Sequence, residues 1–474
     1  MPAYVAGVDS STQATKVVVV DPSDGSVVRE ARQPHPEGTE VDPRHWWTAL
    51  SAALGEVGTD DVAAIAVAGQ QHGMVLCDGR GEPVRDALLW NDTRSADAAH
   101  DLVAEIGPEG GRHGAGAWAE AVGTVPVASI TATKLRWTAR AEPRNAERAR
   151  SVMLPHDWLT WRLRGGARAG VEPVTDRGDA SGTGYWSPAQ GRYRPDLLEL
   201  AFGRQLDVPR VADPGEDVGR GHEHGPAKGL VVAPGTGDNM GAALAIGGSP
   251  GELIVSLGTS GTVFASAADP TADPSGLVAG FADARGRYLP LVCTLNAARV
   301  LGVGAALLGV EPDGFDELAL AGAPGAGGLV LVPYLEGERT PDRPDATGTI
   351  AGLTGANGTR ENLARATVEG MLCGLAAGVE ALADVGVAGE RILLIGGGSR
   401  SRAVAAIAPA VFGLDVEVLA PAEYVALGAA RQAAWALHGE EPTWRVPRES
   451  VIEATDADRE AARSVRAAYA RVSG

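Results

Sequence analysis

Three cysteines in 474 residues, Cys77, Cys293 and Cys373, are too few and too far apart for a disulfide framework, and no CxxC spacing offers a zinc site. Lysine is equally scarce, standing only at 16, 134 and 228, so arginine supplies the rest of the positive charge. With 41 basic against 60 acidic residues the net charge is −19. That sign excludes nucleic acid and anionic membrane as expected partners. An anionic ligand then needs a local device: backbone amides, a metal ion or a few placed cations. No run approaches eighteen apolar residues, which predicts no membrane span. The start "MPAYVAGVDSST" lacks the basic region and apolar segment of a signal peptide. With the sparse thiols, this leads to the expectation of a soluble, cytoplasmic protein. Also missing are a Walker A loop, a GxGxxG fingerprint, a Ser-His-Asp order and metal-cluster spacing.

What is present is glycine, 64 residues of it, in a chain that is 45% hydrophobic and 21% charged. Its length allows two to three domains with ample core. "YVAGVD" and "KVVVVD" read as buried strands joined by the polar turn "SSTQAT", and "VAAIAVAG" as a further strand ending at "QQHG". "VDPRHWWTALSAALGEV" reads as a helix with Asp42 as N-cap and Pro43 at its first position. "ENLARATVEGMLCGLAAGVEALADVG" has helical spacing, and it leads into the strand "RILLIGGG" and the helical "SRAVAAIAPAVFG". This alternation is an α/β pattern. The strand–turn–strand of "GVDSSTQATKVVVV" is echoed by "ELIVSLGTSGTVFAS" at 252–266, which predicts two related α/β domains meeting near 246–250. A Gly-rich loop falls at 321–328, and the end of the chain from about Asp456 reads as a polar helix.

Several stretches carry groups suited to chemistry. The turn "DSSTQATK" sets backbone amides, hydroxyls, Gln13 and Lys16 beside Asp9, an arrangement for phosphate oxygens with Asp9 holding a metal through water; an ordinary polar hairpin loop has the same composition. "SLGTSG" repeats the pattern with Gly258 and Thr259. "LIGGGSRS" runs from a strand into three glycines and a predicted helix start, where backbone approaches a ligand and an anion is favoured; a tight strand–helix turn explains it equally well. "AGQQHG" sets Gln71 and His72 at a strand end, with His72 able to donate to a sugar hydroxyl or simply to bond within the protein. "LLWND" places Trp90, Asn91 and Asp92 together, the mix of apolar plane and polar tips that suits a polyol, or a helix cap. "GTGDNMG" isolates Asp238 and Asn239 among Gly, Thr and Met, where the carboxylate is a helix cap, a paired charge or a base.

These pieces in this order resemble the FGGY family of carbohydrate kinases. One family signature corresponds to "SITATKLRW" (129–137), with Lys134 and Trp137 at its marked positions and Thr138 where an apolar residue is usual. The other runs from Gly348 through "GTIAGL" to "ENLARATVE", ending at Glu369. The resemblance spans about nine-tenths of the chain. It implies two actin-like ATPase domains of the ribonuclease H-like type, related to hexokinase and the 70-kDa chaperones, with the active site in the cleft. The implied division is 1–245, 246–440 and a polar helical tail, 441–474. The implied activity is in-line transfer of the γ-phosphoryl of ATP, with Mg²⁺, to a small-molecule sugar; "GQQHG", "LLWND", "GTGDNMGAA" and "PYLEGERTP" point to D-xylulose in pentose catabolism.

The resemblance also assigns roles. Asp238 is the catalytic base. Gln71, His72, Asn239, Trp90 and Asp92 are the substrate contacts. Ser11, Thr12, Gln13, Lys16, Gly258, Thr259, Gly397, Gly398 and Ser399 contact ATP, and Asp9 and Asp238 hold the metal through water. Ribulose, gluconate, glycerol and a pentitol are alternative acceptors, and a non-catalytic ATP/sugar sensor is the alternative class. The sequence gives no assembly state, although a homodimer is the commonest outcome for soluble oligomers. It also gives no role for Arg339 and the "GERTP" loop.

Overall fold

The computed structural model describes residues 3–107 and 113–474, which fold as two compact units. The first gathers Met1–Gly247, Ala267–Leu289 and Ala422–Arg445; the second gathers Gly248–Ser266, Pro290–Pro421 and Val446–Gly474.

In the first unit the strand Tyr4–Ser10 pairs antiparallel with Ala14–Val20, which sets Asp9 opposite Lys16. On its other side it pairs in parallel with Val62–Gly69. Val27–Pro34 extends one edge, while Val231–Val232 and Thr236–Gly237 pair with Val62–Gly69 on the other. Both faces of this sheet are covered, which is why its strands read as near-continuous apolar runs rather than alternating ones. Ala6 and Val8 face Trp46, Leu50 and Leu54 of the helix Pro43–Val57 and Trp158. Val5, Val18, Ala64 and Ala66 face the helix Tyr424–His438 through Ala426, Ala429, Ala430 and Ala433. The helix Pro43–Val57 starts as its sequence predicts, with the Asp42 side chain accepting from the Arg44 amide.

Alanine and glycine bring the helix Tyr424–His438 unusually close. A Cβ added at Gly7 would lie 1.9 Å from the Ala426 carbonyl oxygen, and one at Gly428 would lie 1.8 Å from that of Gly241. A Gly-to-Ala change inside a helix ordinarily gains about 1 kcal/mol. Here backbone blocks the methyl, so Gly428→Ala is expected to destabilise the first unit by about 3 kcal/mol. Thermal denaturation would read this as a lowered midpoint, and an unchanged midpoint would contradict the packing.

The second unit repeats the arrangement. Glu252–Leu257 pairs antiparallel with Gly261–Phe264, the hairpin expected from the echo of residues 7–20 at 252–266, and it also pairs parallel with Arg391–Ile395. Tyr288–Thr294 lies beyond the hairpin, and Asp415–Leu419 and Arg448–Ile452 complete the other side. The helix Arg360–Asp384 runs through the core of this unit. By length and composition alone it could cross a membrane, but 72% of its apolar stretch is buried inside the protein, as befits a core helix. Ala364, Val368, Met371, Leu372 and Leu375 are fully enclosed there. The final helix, Asp456–Ser473, has a Thr455–Asp458 capping box, and Arg466 donates to the Val411 and Phe412 carbonyls. Those carbonyls end the helix Arg402–Phe412, where a cation is favourable.

Candidate active site

In the first unit the polar residues picked out in the sequence converge at the ends of Tyr4–Ser10, Val62–Gly69 and Thr236–Gly237. The last of these runs directly into the helix Asp238–Ile246. Gly237 is its N-cap and gives no side-chain bond, so Asp238 is the first helical residue rather than the cap. Asp238 Oδ1 accepts from the Asn239 amide at 2.8 Å and from Asn239 Nδ2 at 2.9 Å. Asn239 Nδ2 also donates to Gln71 Oε1 at 2.9 Å, which ties the helix start to "GQQHG". By accessible surface Asp238 is only half-buried, yet enough protein surrounds its carboxyl that burial, and then the charge of Asp9, push its pKa up to about 7.

Asp9 is buried and Oδ1 receives no hydrogen bond. Burial pushes its pKa up to about 7, opposed by Lys16 and aided by Glu423. Lys16 is not free to neutralise it fully, because its ammonium pairs with Glu423 Oε2 at 2.5 Å. Ser11 and Thr12 are half-buried and Gln13 is exposed. Thr12 Oγ1 accepts from Trp90 Nε1 at 2.9 Å, so the polar tip of Trp90 is spent on this turn. His35, which the sequence did not single out, braces the same turn: Nδ1 bonds the Ser11 carbonyl at 2.9 Å and Nε2 bonds Thr15 Oγ1 at 2.8 Å. A carbonyl only accepts, so Nδ1 carries the proton and Thr15 donates to Nε2.

His72 has φ 64°, a left-handed conformation rare for a non-glycine residue and enriched at functional sites. Its Nδ1 donates to the Gly182 carbonyl at 2.9 Å. A carbonyl only accepts, so Nδ1 carries a proton and this nitrogen is spent within the protein. Gln71 Nε2 is buried without a hydrogen-bond partner. Asp92 is engaged within the protein: Thr39 Oγ1 donates at 2.8 Å and Arg94 Nε reaches both oxygens at 2.8 and 3.0 Å. Burial opposes its ionisation, but the Arg94 and Thr39 bonds outweigh it and hold the carboxyl below its ordinary range.

Behind Asp238 lies a group the sequence reading missed, because its members are scattered through "LPHDW" and "VTDRGDA". His156, Asp157, Asp176 and Asp179 are all buried. His156 Nδ1 meets Asp179 Oδ2 at 2.7 Å and Nε2 lies 3.2 Å from Asp157 Oδ1. Asp176 Oδ2 accepts from Thr236 Oγ1 at 2.7 Å, two residues before Asp238. Burial alone would lower the His156 pKa, but the charges of Asp157, Asp179 and Asp176 outweigh it and raise it to about 9. A histidine raised from 6.5 stabilises the fold fully below 6.5 and loses that contribution as pH rises through 9. The stability margin of the native chain over His156→Gln is therefore expected to shrink between about pH 7 and 10. Chemical denaturation at several pH values would read it, and a margin growing with pH would contradict the charged ring.

In the second unit the turn at Gly258 and Thr259 is exposed, and its carbonyls accept from the Ala298 amide at 2.9 Å and the Ala297 amide at 3.3 Å. Gly396 (φ 89°) is forced: a Cβ there would lie 2.8 Å from the Leu257 backbone. Gly397 faces open space, whereas Gly398 and Ser399 are buried, with Ser399 Oγ donating to the Gly396 carbonyl. The expected anion-favouring helix start after these glycines is not open. A 3₁₀ turn, Gly397–Arg400, intervenes, and the helix Arg402–Phe412 is capped by Ser401, with Asp316 accepting from the Arg402 amide at 2.8 Å.

The two signature segments are structural in their contacts. Lys134 is buried and donates to the carbonyls of Ala128 and Ser129, and Trp137 is flanked by the Arg85 and Arg94 guanidiniums. Glu369 pairs with Arg365 at 2.6 Å and accepts from the Gly325 amide.

Two units of one strand arrangement, each carrying a Ser/Thr-rich turn in its central hairpin, define the sugar-kinase fold. The N-terminal domain model of the FGGY family of carbohydrate kinases matches residues 4–245 and the C-terminal domain model matches 253–437. The chain belongs to this family and is an ATP-dependent sugar kinase. Among proteins of known kind it is similar to the xylulose kinase of Streptomyces rubiginosus, at 45% identity over 96% of this chain and 94% of that one. The xylulose kinase of Streptomyces coelicolor is 43% identical over 96% and 93%. The crystal structure of xylulose kinase from Bifidobacterium adolescentis superposes with a TM-score of 0.89 at 44% identity, covering 100% of both chains.

Proposed function

We propose that this chain transfers the γ-phosphoryl group of ATP to D-xylulose, giving D-xylulose 5-phosphate and ADP, with Asp238 as general base. The observation that carries the reading is the anchoring of Asp238. Both bonds from Asn239 fall on Oδ1, which leaves the proton-accepting capacity with Oδ2, and Asn239 is joined to Gln71 next to His72. As the sugar oxygen bonds to the γ-phosphorus and the bond to the β,γ-bridging oxygen breaks, the hydroxyl proton passes to Asp238.

Gln71 Nε2, a buried donor with no protein acceptor, suits a polyol, whose hydroxyls accept, and His72 stands beside it in the chain. Asn239 adds a further contact. Trp90 lends its apolar plane, and Asp92 fixes the loop that carries it through Thr39 and Arg94. Ser11, Thr12, Gln13, Lys16, Gly258 and Thr259 are the phosphate contacts. Gly397, Gly398 and Ser399 serve the adenosine. The similarity to xylulose kinases over nearly the whole chain supports the choice of sugar.

Magnesium fits the residues present. A buried Asp9 oxygen without a hydrogen bond and two carboxylates of raised pKa are what a cation would compensate. Among the described residues no group of three or more His, Cys, Asp or Glu forms a cage, so Asp9 and Asp238 would hold it through water, as magnesium prefers. When bound, it neutralises charge on the phosphate oxygens. Three free cysteines suit a reducing, cytoplasmic compartment.

A coupled ADP-release assay over D-xylulose, ribulose, gluconate, glycerol and pentitols tests the substrate. D-xylulose is expected to lead in kcat/KM by about tenfold or more. A different leader would overturn the choice of sugar and leave the kinase assignment intact.

A further inference from the structure

The loop "GERTP" has no role legible in the sequence, yet its glutamate accepts four hydrogen bonds in the second unit. Glu338 is buried, and both of its oxygens are occupied. Oε2 accepts from Thr294 Oγ1 at 2.6 Å and Asn296 Nδ2 at 3.0 Å. Oε1 accepts from the amides of Leu295 at 2.7 Å and Arg339 at 2.8 Å. Asn296 cannot turn its amide over, because Nδ2 also donates to the Gly337 carbonyl and Oδ1 accepts from the Leu335 amide. The segment 294–296, where the strand Tyr288–Thr294 ends, is therefore clamped through this one side chain.

The same segment supports the turn assigned to the phosphates. Thr294 pairs with Gly261 across the sheet. A Cβ at Gly261 would lie 3.0 Å from Thr294 Cγ2 and 3.1 Å from Ala297 Cβ, so the hairpin rests directly on this platform. The next two residues, Ala297 and Ala298, donate their amides to the Thr259 and Gly258 carbonyls. Glu338 thus reaches the turn through one layer of residues without touching it.

We infer that Glu338 is a positioning residue for nucleotide binding, holding the platform 294–298 that fixes the Gly258–Thr259 turn. This rests on the assignment of that turn to the phosphates of ATP. The dependence on a carboxylate is specific. Glutamine keeps one acceptor oxygen for the Leu295 and Arg339 amides, but its NH₂ would then face Asn296 Nδ2, donor against donor. The charge that strengthens all of these bonds is also lost.

The test compares Glu338→Gln, Thr294→Val and Thr259→Ala with the native enzyme, reading steady-state kinetics and calorimetric binding of ADP. Glu338→Gln is expected to raise KM for ATP and weaken ADP about tenfold, with KM for the sugar unchanged. Thr294→Val removes one of the four donors and is expected to move the same two values by a few fold. A native-like KM for ATP and ADP affinity in Glu338→Gln, with Thr259→Ala impaired, would overturn the inference alone. If Thr259→Ala is also native-like, the phosphate assignment itself fails. Equal losses in KM for ATP and for the sugar would reduce Glu338 to a structural clamp and overturn its positioning role.

Discussion

Asp238→Asn is expected to lower kcat by about 10²–10⁴ while leaving KM for both substrates close to native. The substitution is nearly isosteric. The amide oxygen still accepts from the Asn239 backbone and side chain as Oδ1 does now, so the helix Asp238–Ile246 keeps its start. The atom that changes is the one assigned to the sugar proton, and an amide nitrogen cannot take it. Folding should not suffer, because the native carboxylate is held in a setting that resists its charge, with Asp9 adding repulsion. Equal or greater thermal stability with lost turnover is the pattern of a residue kept for chemistry at the expense of stability. A folded variant with native turnover would return Asp238 to the role of a favourable charge in the first turn of a helix.

Asp9→Asn is expected to cost on the order of 10²-fold or more in kcat/KM for ATP, with calorimetric affinity for D-xylulose unchanged. The reasoning differs from that for Asp238. Asp9 has an oxygen with no hydrogen bond, its cross-strand neighbour Lys16 is already paired with Glu423, and burial pushes the carboxyl up to about 7. A buried carboxylate left this way needs a cation from outside the chain. Removing its charge should also raise the magnesium concentration needed for half-maximal rate. A native magnesium profile in Asp9→Asn would separate Asp9 from the metal and leave it a structural acid of the hairpin.

Local chemistry made part of the fold legible. Asp42 followed by Pro43 announced a helix start, and the two Ser/Thr turns between apolar strands announced the repeated hairpin that both units share. A polar turn marked Asp9 as a candidate, a polar strand end marked His72, and apolar surroundings marked Asp238. What stayed hidden depends on contacts between distant segments. Nothing in "YVALGAARQAAWALH" says that its alanines cover strands at residues 5–20 and 62–69, because small residues suit any close helix contact. The ring of carboxylates around His156 is assembled from the starts of two helices about twenty residues apart, Pro155–Leu163 and Arg177–Ala180, and nothing in either segment announces that they meet. Asp316 closes a helix start that the glycine run made look open. Hydrogen-bond direction was equally out of reach: only the Gly182 carbonyl shows that Nδ1 of His72 carries a proton and is used within the protein.

The most direct measurement is a crystal structure of the chain with D-xylulose and a non-hydrolysable ATP analogue. Proton removal by Asp238 predicts its Oδ2 within about 3 Å of the sugar hydroxyl that faces the γ-phosphate. A hydroxyl bonded instead to another acidic or basic side chain, with Asp238 turned toward solvent, would contradict the account.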